Sequence, residues 1–289
     1  AGGSREAPNP GGLAGEAALA ARHATSCLCA CALLLPTVCL LLAGLLGLCV
    51  CMRASAGGVQ TPLEDLHRMR ETVEASGLHV AMVTADSNVP LNNADGPNSL
   101  RDIGPSLEVA EALGCDLIRV CLKSNADLLH AREAAKQAAD RGIRLAHQCH
   151  TTSVFETVDQ ILANLKAIGQ PSFGLIYEPA NLMLCGEPYG VDTLRQLAPH
   201  LMNVYIQNHR LDEAGPVSLP TYCRDEVRFH HLPIWEAGGV ETAAVFAGLR
   251  EINWTGHFTI HQAESIETNE DARDYAKRCA DFVRDFESI

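Results

Sequence analysis

From Thr61 to the C-terminus, short continuous apolar runs alternate with longer segments whose apolar residues recur at helical spacing. Thr61-Pro62-Leu63-Glu64-Asp65 opens the first helix with a cap, a proline in the first turn and acids beside it, the residue types that suit a helix N-terminus. Leu63, Leu66, Met69 and Val73 keep the helical period up to Gly77. Leu78–Ala85 then reads as a strand and Asp86–Pro97 as a polar loop. Ser106–Leu113 is a helix stopped by Gly114, Asp116–Leu122 a strand, Ala126–Arg141 an Ala-rich helix, Ile143–Cys149 a strand and Val154–Ile168 a helix. Phe173–Tyr177 is a strand that ends on Glu178, where Pro179 stops it for want of an N–H to give the ladder. A helix at Val191–Leu197 leads to the strand Asn203–Gln207. A long loop, Asn208–Pro233, then precedes Ile234-Trp235, the helix Glu241–Ile252, the strand His257–His261 and the helix Asn269–Phe286.

Six strand–helix units with apolar strands, and no Asn-Gly hairpin signal between them, predict an α/β fold with a parallel sheet covered by helices. The pattern alone allows a barrel or an open doubly wound sheet. No GxGxxG follows a strand and no GxxxxGK[ST] occurs, which removes the usual support for a nucleotide-binding sheet. A (β/α)8 TIM barrel needs eight strands. The first one or two βα units would have to come from residues 1–58, whose composition does not predict them. An open remnant exposes sheet edges, which a homo-oligomer or the N-terminal segment would cover.

That N-terminal segment, residues 1–58, reads as distinct from a barrel domain at 59–289. Cys27–Met52 holds no charged residue, and a membrane helix needs only about 20 residues. Three readings stand. It is a membrane anchor kinked at Pro36, a signal peptide cleaved near Ala54-Ser55-Ala56, or a segment without native structural meaning; the last is suggested by six of the twelve cysteines falling between Cys27 and Cys51. A genuine helix at 27–52 places the protein on a membrane, and without one it is cytoplasmic.

The net charge of −13 lies almost wholly beyond residue 60, because residues 1–60 hold three arginines and two glutamates. An acidic domain repels phosphate backbones, so nucleic acid is excluded as a partner. A small neutral molecule, or one bound through a metal, fits better. The six barrel cysteines, 115, 121, 149, 185, 223 and 279, read as scattered thiols rather than a disulfide framework.

Polar residues collect where the strands end. One strand carries His147-Gln148-Cys149-His150, with Gln148 and His150 facing one way and His147 and Cys149 the other. The next ends in Glu178 with Asn181 behind it. Another is followed by Asn208, His209 and Arg210, and the last ends in His261. Imidazole and carboxylate on neighbouring strand tips suit Mn, Zn, Fe or Co, and less well Mg or Ca.

Residues 61–289 resemble the xylose isomerase-like TIM barrels, through AEALGCDLIRV (110–120), LAHQCHTTS (145–153), GLIYEPAN (174–181), VYIQN (204–208), WEAGGVE (235–241) and GHFTIH (256–261). The resemblance implies a (β/α)8 barrel and a metal-assisted sugar isomerase or epimerase that moves a proton beside a carbonyl. It implies a divalent metal (Mn, Co, Zn or Mg) held by Glu, Asp, His and Glu at four strand tips. Those positions carry Gln148, Glu178, Tyr205 and His261 here, so only Glu178 keeps its chemical type. The expected ligands are Glu178, His261, Gln148 and His209, and the expected proton carriers His147, His150 and His261. Asn181, Asn208, Arg210, Trp235 and Lys123 are expected to contact a small sugar or polyol. A non-catalytic sugar-binding barrel and a dehydratase of the same fold are the alternatives.

Overall fold

The computed structural model describes residues 50–53, 55–56, 59–60, 62–85, 95–260 and 269–287. Its main sheet contains β1 (Val50–Arg53), β2 (Val80–Thr84), β3 (Leu117–Val120), β4 (Arg144–Gln148), β5 (Phe173–Tyr177), β6 (Leu201–Ile206) and, after a three-stranded insertion, β10 (Phe258–Ile260). They pair in the order β1-β2-β3-β4-β5-β6-β10, every pair parallel. Six of these strands are those the apolar runs predict. Their burial on both faces explains why they read as unbroken apolar runs rather than alternating ones.

The seventh, β1, corrects the expectation that residues 1–58 supply no strand. Val50 pairs with Val80, and Cys51–Arg53 with Met82–Thr84 after a register shift. Residues 50–52, the end of the apolar run read as a membrane or signal helix, are therefore extended. Residues 27–49 of that run lie outside the described residues. No helix among the described residues is long and apolar enough to cross a membrane.

Helices α1 (Leu63–Ala75), α2 (Asn98–Arg101), α3 (Gly104–Leu113), α4 (Asp127–Ala139), α5 (Val158–Ile168), α6 (Pro179–Leu184), α7 (Val191–Leu197), α8 (Thr242–Glu251) and α9 (Asn269–Glu287) connect the strands. The large core lies between sheet and helices, with Ala131, Ala134, Ala135 and Ala138 of α4 fully buried in it. Small side chains on one helix stripe let α4 lie close to the sheet, the arrangement its Ala-rich pattern predicts.

A second, smaller cluster lies on the other face: Met82, Leu117, Ala146, Ile176 and Tyr205, one from each of β2 to β6. In a flat sheet β2 and β6 would stand roughly 19 Å apart, four strand spacings. Here Met82 Sδ is 3.7 Å from Asn203 Nδ2 and 4.0 Å from the Tyr205 hydroxyl. His79 and His257, which precede β2 and β10, approach to 3.3 Å. The sheet is thus curled into a half-barrel with these side chains inside. Gly174 permits part of that curl, since a Cβ there would come within 2.4 Å of the His200 carbonyl at the start of β6.

The stretch read as a long loop, 208–233, holds an antiparallel sheet of β7 (His209–Leu211), β8 (Val217–Leu219) and β9 (Val227–His231), in the order β8-β9-β7. The absence of a hairpin signal therefore misled at this point. Of the barrel cysteines, Cys115, Cys121, Cys149, Cys185 and Cys279 are buried thiols and Cys223 is an exposed one.

Candidate functional site at the strand tips

Strand register decides which polar residues meet. Arg119 stands opposite Thr84 and Ala146, Gln148 opposite Ile176, Ile176 opposite Asn203, and Tyr205 opposite Thr259. Ala146, Ile176 and Tyr205 face the barrel interior. By alternation, Arg119, Gln148 and Glu178 share that face.

Glu178 is 0% exposed and occupies the residue between β5 and α6. Pro179 fills the first helical position, where its missing N–H costs nothing. The Glu178 side chain does not cap this helix. Its Oε2 instead accepts from the Gln148 and Asn181 amides. Asn181 also donates to the Cys149 carbonyl at 2.9 Å, so its amide ties β4 to Glu178 and orients the carboxylate. Because Gln148 gives its NH2 to Glu178, its Oε1 points elsewhere, and that buried oxygen has no hydrogen-bond partner.

His150, just past β4, donates from Nδ1 to the Thr151 carbonyl at 2.8 Å. Burial pushes its pKa down to about 4, as do the Arg119 and Lys123 charges, against the Thr151 carbonyl and Glu178, which raise it. The ring is neutral at physiological pH, with its lone pair on Nε2.

His147 points the other way. It is 1% exposed, packs edge-on against Phe155 at 4.6 Å, and donates from Nδ1 to the Val120 carbonyl at 3.1 Å. The structure places it in the sheet–helix core, across β4 from Gln148. His209 lies in the antiparallel sheet. It is buried with its Nδ1 2.9 Å from the Asn208 carbonyl and 3.2 Å from His231 Nδ1, and its ring lies 4.5 Å from Phe229. His261 lies outside the described residues.

The expected substrate contacts divide in the same manner. Asn208 donates to the Pro233 and Glu236 carbonyls at 2.8 Å each and accepts from Val240 N at 2.9 Å. Its amide therefore staples the Trp235–Val240 turn, and Gly239 leaves room for it: a Cβ there would lie 2.1 Å from Asn208 Oδ1. Trp235 packs on α9, with Tyr275 at 5.5 Å and the Arg278 guanidinium 3.8 Å over its ring. Arg210 is exposed on β7. Lys123 donates to the Thr152 carbonyl at 3.0 Å and its hydroxyl at 3.2 Å. It holds a left-handed residue, Thr152 with φ 52°, in the loop after β4, and burial lowers its pKa. Of the five, Asn181 is the one seen to bond Glu178 among the described residues.

Sequence reasoning passed over two residues. Arg119 is 7% exposed, projects into the interior, and lies with its guanidinium 5.6 Å from the Tyr205 ring centre. Alternation along Leu117-Ile118-Arg119 was the available signal. Glu156 is 1% exposed and accepts backbone N–H groups from Thr152, Tyr222 and Cys223. It falls with Cys185 and Cys223 in a group whose donor atoms lie within 4.8 Å of one another. Its oxygens already serve those three N–H groups.

A family model described as a xylose isomerase-like TIM barrel matches residues 49–286. Among solved structures, a xylose isomerase domain protein from Planctomyces limnophilus is similar at 16% identity, over 86% of this chain and 90% of that one, with a TM-score of 0.65. A D-allulose 3-epimerase from Methylomonas sp., in complex with D-allulose, is similar at 17% identity, over 85% and 89%, with a TM-score of 0.61. A xylose isomerase-like TIM barrel protein from Mycobacterium smegmatis, in complex with magnesium, follows at 15% identity, over 78% and 80%, with a TM-score of 0.57. No curated protein matches the sequence.

Proposed function

Since the chain belongs to the xylose isomerase-like TIM barrel family, we propose that it is a metal-assisted isomerase or epimerase of a small sugar or polyol, moving a proton beside a carbonyl. The observation that carries this reading is Glu178, a buried carboxylate at a strand tip, held toward the barrel interior by two side-chain amides. A buried carboxylate held by neutral amides favours a cation. Gln148 Oε1, a buried acceptor without a donor, adds a second oxygen aimed away from Glu178. This oxygen set fits a hard divalent ion such as Mg or Mn better than a soft one. His261 and His209 remain the sequence's further ligand candidates. When bound, the ion supplies polarisation of a substrate carbonyl, which favours enolisation.

The protein's own residues do the rest. Asn181 fixes Glu178, and Gln148 lies beside it without being able to take a proton. His150 has its Nδ1–H committed to Thr151, so Nε2 is the atom through which it would accept and return the substrate proton. His147, across the strand, supports β4 rather than reaching substrate.

A second reading, sugar binding without turnover, is favoured by Gln148 standing where the resemblance implies a glutamate. One experiment separates them. The protein is loaded with Mg or Mn, incubated with a ketohexose such as D-fructose in deuterated water, and compared with Glu178→Ala for metal content and for deuterium beside the carbonyl. The isomerase reading expects exchange in the parent and loss of both metal and exchange in the variant. Metal content unchanged by Glu178→Ala rules out the site, and binding without exchange selects the second reading.

A further inference from the structure

A guanidinium inside a barrel calls for a partner. Arg119 is more than nine-tenths buried, and its Nε has no hydrogen-bond partner. Among the described residues no carboxylate pairs with it, and its neighbour is the ring face of Tyr205. An aromatic face steadies a guanidinium far less than burying an unpaired charge costs. The ring lies beside the group and leaves its Nε without an acceptor.

The setting points to what that is. By register Arg119 lies level with Ala146 and Thr84, one inward-facing position below Gln148 on the neighbouring strand. A ligand reaching Glu178 and His150 from the strand tips therefore has Arg119 beneath it. That puts an inward-facing cation in a chain whose net charge is −13. A surface that is acidic overall has no need of an inward cation for solubility.

We propose that the barrel interior binds an anionic substrate, a small polyhydroxy or keto acid whose carboxylate is held by Arg119 while its carbonyl or hydroxyl end meets Glu178 and His150. The proposal rests on the reading of the strand tips as a sugar or polyol site and narrows its substrate class. Carboxylate suits the planar fork of arginine bidentately. A phosphate dianion calls for more donors, and Lys123 is already bonded to Thr152.

The test compares D-gluconate with D-glucitol, which share a carbon skeleton and differ in the carboxylate. Binding to the full chain is measured by calorimetry without added metal, so that chelation does not contribute. The expected result is gluconate bound at least about tenfold tighter, a gap that a charge-assisted pair readily supplies. Arg119→Gln closes the gap, and Arg119→Lys keeps part of it. Equal binding of the two ligands, or a gap that survives Arg119→Gln, overturns the inference while leaving the isomerase reading in place. Binding of neither also overturns the inference, while the isomerase reading stands or falls by the deuterium exchange measured with metal. If Arg119→Gln does not fold, the parent ratio with Arg119→Lys decides, a ratio near one being the refuting result.

Discussion

Glu156 and Glu178 are equally hidden, 1% and 0% exposed, and are held in opposite ways. Glu156 is surrounded by backbone. Thr152 N lies in the loop after β4, and Tyr222 N and Cys223 N, at 2.7 Å or just above, lie in the turn before β9. Glu178 is met by the side-chain amides of Gln148 and Asn181. A backbone cradle cannot release its carboxylate without moving the chain, whereas side-chain amides can rotate and let a cation or ligand in. Burial alone therefore does not mark a functional acid. What surrounds it does, and by that criterion Glu156 is a clamp between two loops and Glu178 a group kept ready to exchange partners.

The largest expected effect breaks this comparison directly if it fails. Glu156→Ala leaves three backbone N–H groups without their acceptor, at roughly 1–3 kcal/mol each where buried. Urea unfolding should show a loss of about 3 kcal/mol or more. Glu178→Gln keeps the shape and removes a buried charge, so its stability should change by less than about 1 kcal/mol while metal retention is lost. Equal destabilisation by the two variants would mean that both acids are structural.

A smaller effect is expected from restoring the acid that the resemblance implies. Gln148→Glu sets a second carboxylate beside Glu178, which replaces an amide donor by a like charge. Without metal this should destabilise the fold by about 1–3 kcal/mol. With Mn or Mg present, affinity should rise by about tenfold or more, because the added charge falls on the ion. Thermal melts with and without metal measure both. A variant more stable without metal than the parent would show that Gln148 does not face Glu178 as described.

Much of this was legible beforehand, and the reasons for the rest are physical. The six predicted strands are mostly apolar because both faces are covered, so their runs stand out. Glu178 was legible because Pro179 marks where its strand must end. The strand at Val50–Arg53 was hidden inside an apolar run long enough to read as a helix, where length argued against a strand. The antiparallel sheet after Asn208 was hidden because its strands are three to five residues and mix polar with apolar positions. Helix α6, six residues begun by Pro179, is too short to show a period. In the site, alternation separated Gln148 from His147 correctly. Asn208, Trp235 and Lys123 look like ligand contacts in a sequence, and only three-dimensional neighbours reveal that each is engaged with the protein itself. Glu156 gave no signal, since two of its three backbone partners lie 66 and 67 residues away.

The smallest effect sharpens the account of Glu156 through a neighbour. Cys223 is exposed, yet its thiol pKa is raised, first by burial of the sulfur and then by the hydrogen bond and charge of Glu156. The thiolate is the form that reacts with alkylating reagents. With its pKa raised, less thiolate is present at a given pH below that pKa, and Cys223 should react slowly for an exposed cysteine. Glu156→Gln removes the negative charge while keeping a side chain of the same shape. The pKa should then fall, and iodoacetamide labelling at about pH 8 should rise by about threefold. Loosening of the turn could raise the rate as well, but it would do so at every pH. A shift of the labelling midpoint to lower pH belongs to the charge alone. If the midpoint stays fixed in Glu156→Gln, the carboxylate is not the group holding the thiol protonated, and its link to the turn before β9 must be weaker than its hydrogen bonds indicate.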